Sequence, residues 1–78
     1  MKKLETMNTG ELFAELIYTD ERVSYFSLLA SMNYSCEHRA TAQMYAARRD
    51  AARAEIDRRG IKVRFSCGIP LPAELFND

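Results

Sequence analysis

Cys36, His38 and Cys67 carry the richest chemistry in this chain, and their spacing limits what that chemistry can be. Zinc sites take three or four ligands, usually with two cysteines in a tight hairpin. Two cysteines and one histidine are all the thiol and imidazole ligands that the 78 residues offer, with the second cysteine far from the first. Cys36 and His38 also fall short as a nucleophile–base pair. A helix N-terminus could favour the Cys36 thiolate, but nothing nearby supplies an oxyanion hole or a cleft. Gly10, Gly60 and Gly68 stand apart, so no phosphate-cradling loop is formed. The acidic pair Asp20-Glu21 reads as a solvated face. No catalytic residue, metal, cofactor or small-molecule substrate is expected.

Arginine and tyrosine are the more informative residues. Arg39, Arg48, Arg49, Arg53, Arg58 and Arg59 fall within 36–59, with Lys62 and Arg64 just beyond. A helix offering several arginines to phosphates is one reading, that of a nucleic-acid-associated regulator. Asp50, Glu55 and Asp57 are interspersed, however, and Glu55 has helical pair spacing to both Arg58 and Arg59. Net charge is zero but unevenly divided. Residues 1–38 hold three Lys/Arg against six Asp/Glu, and residues 39–78 hold eight against five. Two helices of opposite charge lying side by side explain this division more simply than a phosphate surface does.

The chain between these residues reads as two long helices. Asn8 or Thr9 can cap the first, with Glu11 in its first turn. Leu12, Leu16, Thr19, Val23, Phe26 and Ala30 follow at alternating spacings of four and three, a stripe that predicts a helix over 9–33. Phe13, Ile17, Leu28 and Met32 lie off that stripe, and Tyr18, Tyr25 and Leu29 fill a third sector. Thr19-Asp20-Glu21 resembles an internal helix start, but the stripe runs through it and one helix is expected. Asn33-Tyr34-Ser35 is a turn short enough to force an antiparallel return, with Ser35 as cap of a second helix over 36–59. Ala40, Met44, Ala47, Ala51, Ala54 and Arg58 repeat at four-three spacing and are expected to face the first helix. Tyr45, Ala52 and Ile56 then point outward. Gly60 is a C-terminal stop, with Ile61 packing back.

Met1 to Met7 reads as a loosely held tail. Ile61, Val63 and Phe65 alternate with Lys62, Arg64 and Ser66, which is the pattern of a strand. With no second strand in view, an extended segment lying on the helices is expected, one that could add to a partner's sheet edge. Cys67 to Pro72 has polyproline-like stiffness, and Ala73 to Phe76 can form a closing helical turn.

The expected fold is therefore all-α: an antiparallel helical hairpin, 9–33 and 36–59, with a short extended tail, in one domain spanning 1–78. Both helices carry more apolar surface than one partner helix can cover, so completion by homodimerisation or a foreign partner is expected. Met1-Lys2-Lys3 is not followed by an apolar run of signal-peptide length, and no stretch could cross a bilayer. A cytoplasmic setting with reduced thiols is the corresponding expectation, and no membrane partner. The function expected is a small non-catalytic protein-binding module, of the scale of phage or mobile-element accessory proteins that inhibit by steric blocking. Tyr18, Tyr25, Tyr45, Ile56 and Phe65 are its candidate anchors, and Arg48, Arg49 and Arg53 its orienting charges.

Overall fold

The N-terminus of the first helix is fixed by a reciprocal pair of hydrogen bonds. The Glu11 amide donates to Asn8 Oδ1 at 2.8 Å, and the Asn8 amide donates to Glu11 Oε1 at 2.9 Å. This capping box satisfies two amides that a helix start would otherwise leave unpaired. Helix α1 then runs unbroken over Thr9–Asn33. The internal start signal at Thr19 is not used, because the Thr19 hydroxyl donates back to the Glu15 carbonyl at 2.7 Å and has no accessible surface. The computed structural model describes residues 3–33 and 36–76, the side chains of Asn33 and Phe76 excepted. The proposed Ser35 cap lies outside the described residues.

Helix α2 covers Cys36–Arg58 and ends on glycine as expected. Gly60 adopts φ 70°, its amide donates to Asp57 O at 3.0 Å, and the Ile61 amide donates to Ile56 O at 3.2 Å. Those two bonds define a Schellman motif. They turn the chain so that Ile61 packs against the core.

The rotational setting of α2 differs from the sequence expectation. Ala40, Met44, Ala47, Ala51, Ala54 and Arg58 are all exposed, whereas Ala42, Ala52 and Ile56 are buried. Positions 42, 45, 49, 52 and 56 also repeat at three-four spacing, so periodicity favours neither face. Packing decides. Ile56 is the one branched aliphatic residue of α2, and covering it removes more apolar area from water than covering an alanine does. Ile56, with no accessible surface, joins Leu12, Phe13, Leu16 and Ala52 in the core, and Leu4, Met7, Ile61 and Val63 pack around them. Ile56 is therefore a core residue of this fold and not a surface anchor.

Two further expectations are corrected at the chain ends. The N-terminal segment is held: Leu4–Thr6 forms a 3-10 turn, and Leu4 and Met7 lie on the core. The lone extended tail is instead a β-hairpin, β1 (Val63–Ser66) paired antiparallel with β2 (Ile69–Pro72). Cys67 and Gly68 form its two-residue turn with φ 53° and 81°, the positive pair of a type I′ turn. Pro70 and Pro72 are buried, and β2 is the strand that packs along α1. Ala73–Phe76 forms the closing turn, as 3-10 helix.

All of the core cluster lies at the end of the helical hairpin away from the α1–α2 turn. The radius of gyration is 14.0 Å, against about 11.5 Å for a rounded domain of this length. The turn-proximal half, 20–33 with 36–48, thus projects as a two-helix arm in which, among the described residues, Ala42 is the one buried side chain.

Truncating Ile56→Ala should cost about 2–5 kcal/mol in chemical denaturation, while Ala47→Glu should change stability by less than about 0.5 kcal/mol. The reverse ranking would show that α2 faces the other way. Cys67→Asn, which tolerates the left-handed region better, should raise stability by up to about 1 kcal/mol, read as an increase in Tm.

Candidate interaction surface

One edge of the helical hairpin is an aromatic and arginine cluster. Tyr18, Arg22, Tyr25 and Phe26 reach it from α1 because they lie three or four residues apart. His38, Tyr45 and Arg48 meet them from α2. Phe26 stacks on Tyr45 with centroids 5.8 Å apart and rings 9° from parallel. Tyr25 stands edge-on to Phe26 at 5.2 Å, and Tyr18 edge-on to Tyr45 at 6.0 Å. His38 lies 6.0 Å from the Phe26 ring.

Glu15 organises the charged part of this edge. Its carboxylate accepts two bonds from Arg48, Nε at 3.0 Å and Nη2 at 2.9 Å. This fork-to-fork geometry is the strongest arginine–carboxylate arrangement. It holds Arg48 5.4 Å from the Tyr45 ring and 5.9 Å from the Tyr18 ring, while Arg22 sits 5.3 Å from Tyr18. A hydrogen bond from Tyr45 lowers the Tyr18 phenol below its ordinary pKa, and the cations Arg22 and Arg48 pull the same way. The same bond to Tyr18 raises Tyr45.

The opposite edge brings together a second set. Arg49, Arg53 and Phe65 line a groove of roughly 320 Å³ with Leu16, Asp20, Asp50 and Pro70. Arg49 lies 3.5 Å from Asp20 and 3.3 Å from Asp50. Nearer the α1–α2 turn, a shallower groove of roughly 540 Å³ runs between Val23, Ala30, Ala42 and Ala46, with Arg39 at its rim.

The eight residues singled out from the sequence therefore separate into three places. Tyr18, Tyr25, Tyr45 and Arg48 share the aromatic edge. Arg49, Arg53 and Phe65 share the far groove, and Ile56 is in the core. Arg22 and Phe26 complete the aromatic edge and were legible, being spaced i+4 and i+8 from Tyr18. Cys36 and Cys67 are exposed free thiols, and among the described residues no group of three His, Cys, Asp or Glu could hold a metal. None of the helices in the described residues is long and apolar enough to cross a membrane.

Arg59 has a structural role that spacing did not reveal. Its Nη1 donates to Met7 O at 2.7 Å and its Nη2 to Leu4 O at 3.0 Å, while Nε donates to Glu55 at 2.7 Å. One guanidinium thus ties the N-terminal turn to the end of α2. Glu55 also accepts from Arg58, and bonding to Arg58 and then Arg59 lowers its carboxyl pKa from 4.5 to about 2.

Searches against protein families, curated proteins and solved structures find no match to this chain.

Arg59→Ala should destabilise the fold by about 1.5–3 kcal/mol and speed hydrogen exchange at the Thr6 and Met7 amides. Arg59→Lys should recover little, since an ammonium lacks the fork. Because the folded Glu55 pKa is depressed, its stabilising contribution is present above about pH 4.5 and lost as pH falls through about 2. The stability gap between wild type and Glu55→Gln should be constant above pH 5 and close towards pH 2. A gap independent of pH would exclude the assigned pairing.

Proposed function

We propose that this protein is a non-catalytic protein-binding module whose two-helix arm lies against a surface of another protein and acts by occupying it. The observation that carries this reading is the distribution of uncovered apolar side chains. The core is gathered at one end, whereas Tyr25, Leu28 and Met32 are 51%, 60% and 66% exposed on the arm. Their three-four spacing makes a continuous outward stripe on α1, the pattern that an α-helix presents to a neighbouring helix. Met44 adds to the apolar surface on α2, and Tyr18 with Arg22 borders the stripe. Aromatic residues, methionine and arginine around an apolar centre match the composition of interface hot spots.

The state of the arginines supports a protein partner over a nucleic acid. Arg48, Arg49, Arg58 and Arg59 are each paired with a carboxylate within the chain. Phosphate binding would have to break those pairs or leave the acids facing the phosphates.

A photo-crosslinking amino acid placed at position 28 in the native cell should capture one defined protein, and the same probe at Asp57 should not. Leu28→Asp with Met32→Asp should abolish capture while leaving the helical signal and Tm nearly unchanged, since both positions are exposed. Equal capture from both positions, or undiminished capture by the double variant probed at position 25, would refute the arm as the binding surface. Capture of a second copy of the chain would make the module a homodimer, which sedimentation at varied concentration would register independently.

A further inference from the structure

The apolar stripe on the outward side of α1 has one charge set within it. Followed towards the N-terminus, the three-four spacing of Met32, Leu28 and Tyr25 reaches Glu21 and then Tyr18, and all five are exposed. The stripe is roughly 21 Å long. Glu21 is its one ionised side chain, and residues 23–33 hold no charge at all. Among the described residues the Glu21 carboxylate has no hydrogen bond or ion pair. The charges beside it in sequence are turned elsewhere. Asp20 meets Arg49 of α2. Arg22, about 100° further round the helix, lies 5.3 Å from the Tyr18 ring. Water therefore solvates this carboxylate in the free chain. Any partner that covers the stripe must remove that water, and a buried carboxylate without a cation is costly.

We propose, resting on the arm as the binding surface, that the partner segment is an amphipathic helix carrying an arginine opposite Glu21. A straight three-four seam is what a second helix lies along. The charge then selects among helices. A purely apolar helix would leave Glu21 buried and unpaired, and an acidic one would repel it. A second copy of this chain brings the same stripe, whose one charge is again this carboxylate. Arginine fits better than lysine because its planar fork grips a carboxylate in two places while its flat face rests on an aromatic ring. Tyr18 and Tyr25, three residues before Glu21 and four after it, supply such rings. The same arrangement occurs inside the molecule, where Arg48 forks on Glu15 and lies within 6 Å of the Tyr45 and Tyr18 rings. In the complex Glu21 would act as the specificity residue of the arm: the apolar residues supply contact area, and the carboxylate decides which helix is accepted.

The test uses two capped helical peptides of about 20 residues, each with leucines at three-four spacing, identical except for arginine or glutamate at the central seam position. They are titrated into the full chain, with affinity read by fluorescence anisotropy and the site mapped by amide chemical shifts. The arginine peptide should bind about tenfold more tightly than the glutamate peptide, with shifts centred on residues 18–32. Glu21→Arg should reverse that preference and Glu21→Leu should abolish it. Because Glu21 is exposed, both variants should keep the helical signal of wild type. The Leu28→Asp, Met32→Asp variant should weaken both peptides alike, which reads the arm without reading the charge. Equal affinity of wild type for the two peptides, with shifts on 18–32, would overturn the role of Glu21 and leave the arm as the binding surface. A preference unchanged in Glu21→Arg would overturn that role as well. Shifts centred outside 18–32, or binding of neither peptide, would overturn the proposal, the former taking the arm reading with it.

Discussion

Burial of Ile56 and Ala52 against Leu12, Phe13 and Leu16 sets the rotation of α2, and the remaining features of the surface follow from it. With Ile56 turned inward, the register of the helix carries Tyr45 inward and Arg48 to one edge, and Arg49 with Arg53 to the other. Arg48 then meets Glu15, and the resulting fork lies against the two tyrosine rings. Turned half a revolution, α2 would have put Met44 and four alanines against α1 and left Ile56 in water. Met44 would gain a comparable transfer free energy on burial, but it lies along the arm, whereas Ile56 and Ala52 sit level with Leu12, Phe13 and Leu16 and complete the core there.

Because the buried core residues cluster at one end, the molecule has a firm base and an exposed arm. The base is reinforced at several points where a 78-residue chain would otherwise be marginal. The capping box fixes the start of α1, the Schellman turn fixes the end of α2, and the Arg59 guanidinium joins the N-terminal turn to that end. The β-hairpin, anchored by Pro70 and Pro72, covers one side of the same base. The arm has no comparable cover. Its helices are held by alanine, half-buried aromatic rings and helical hydrogen bonding, and its outward residues are large and apolar.

The arginines illustrate how composition can mislead about electrostatics. Six of them in one helix read as a basic surface. In the fold, Glu15, Asp20, Asp50 and Glu55 meet four of the six. Two of these pairs, Arg48 with Glu15 and Arg49 with Asp20, join the two helices, and the others lie within the second half of the chain. Exposed pairs of this kind contribute little individually, but the Glu15–Arg48 fork is half-buried and fixes an orientation as well as an energy.

Local signals were sufficient for the helices. The four-three stripe, Asn8 with Glu11, and Gly60 followed by Ile61 each depend on neighbours within a turn or two, so α1 and α2 and their ends could be read from the sequence itself. The inward face of α2 could not, since two stripes on it have the same period and only contact with Leu12 and Leu16 distinguishes them. The hairpin was hidden for a related reason. Two prolines argue against a strand, and Cys67-Gly68 lacks the usual Asn-Gly signal. The prolines are accommodated because the register puts both at positions that need no N–H, and register is a property of paired strands. Arg59 and the N-terminal turn meet across more than fifty residues of sequence, a distance no spacing rule spans. What the sequence by itself determined is thus the set of elements that neighbouring residues stabilise. Tertiary structure decided which of their faces meet and which stay exposed, because that choice depends on the volumes and charges of residues brought together from opposite ends of the chain.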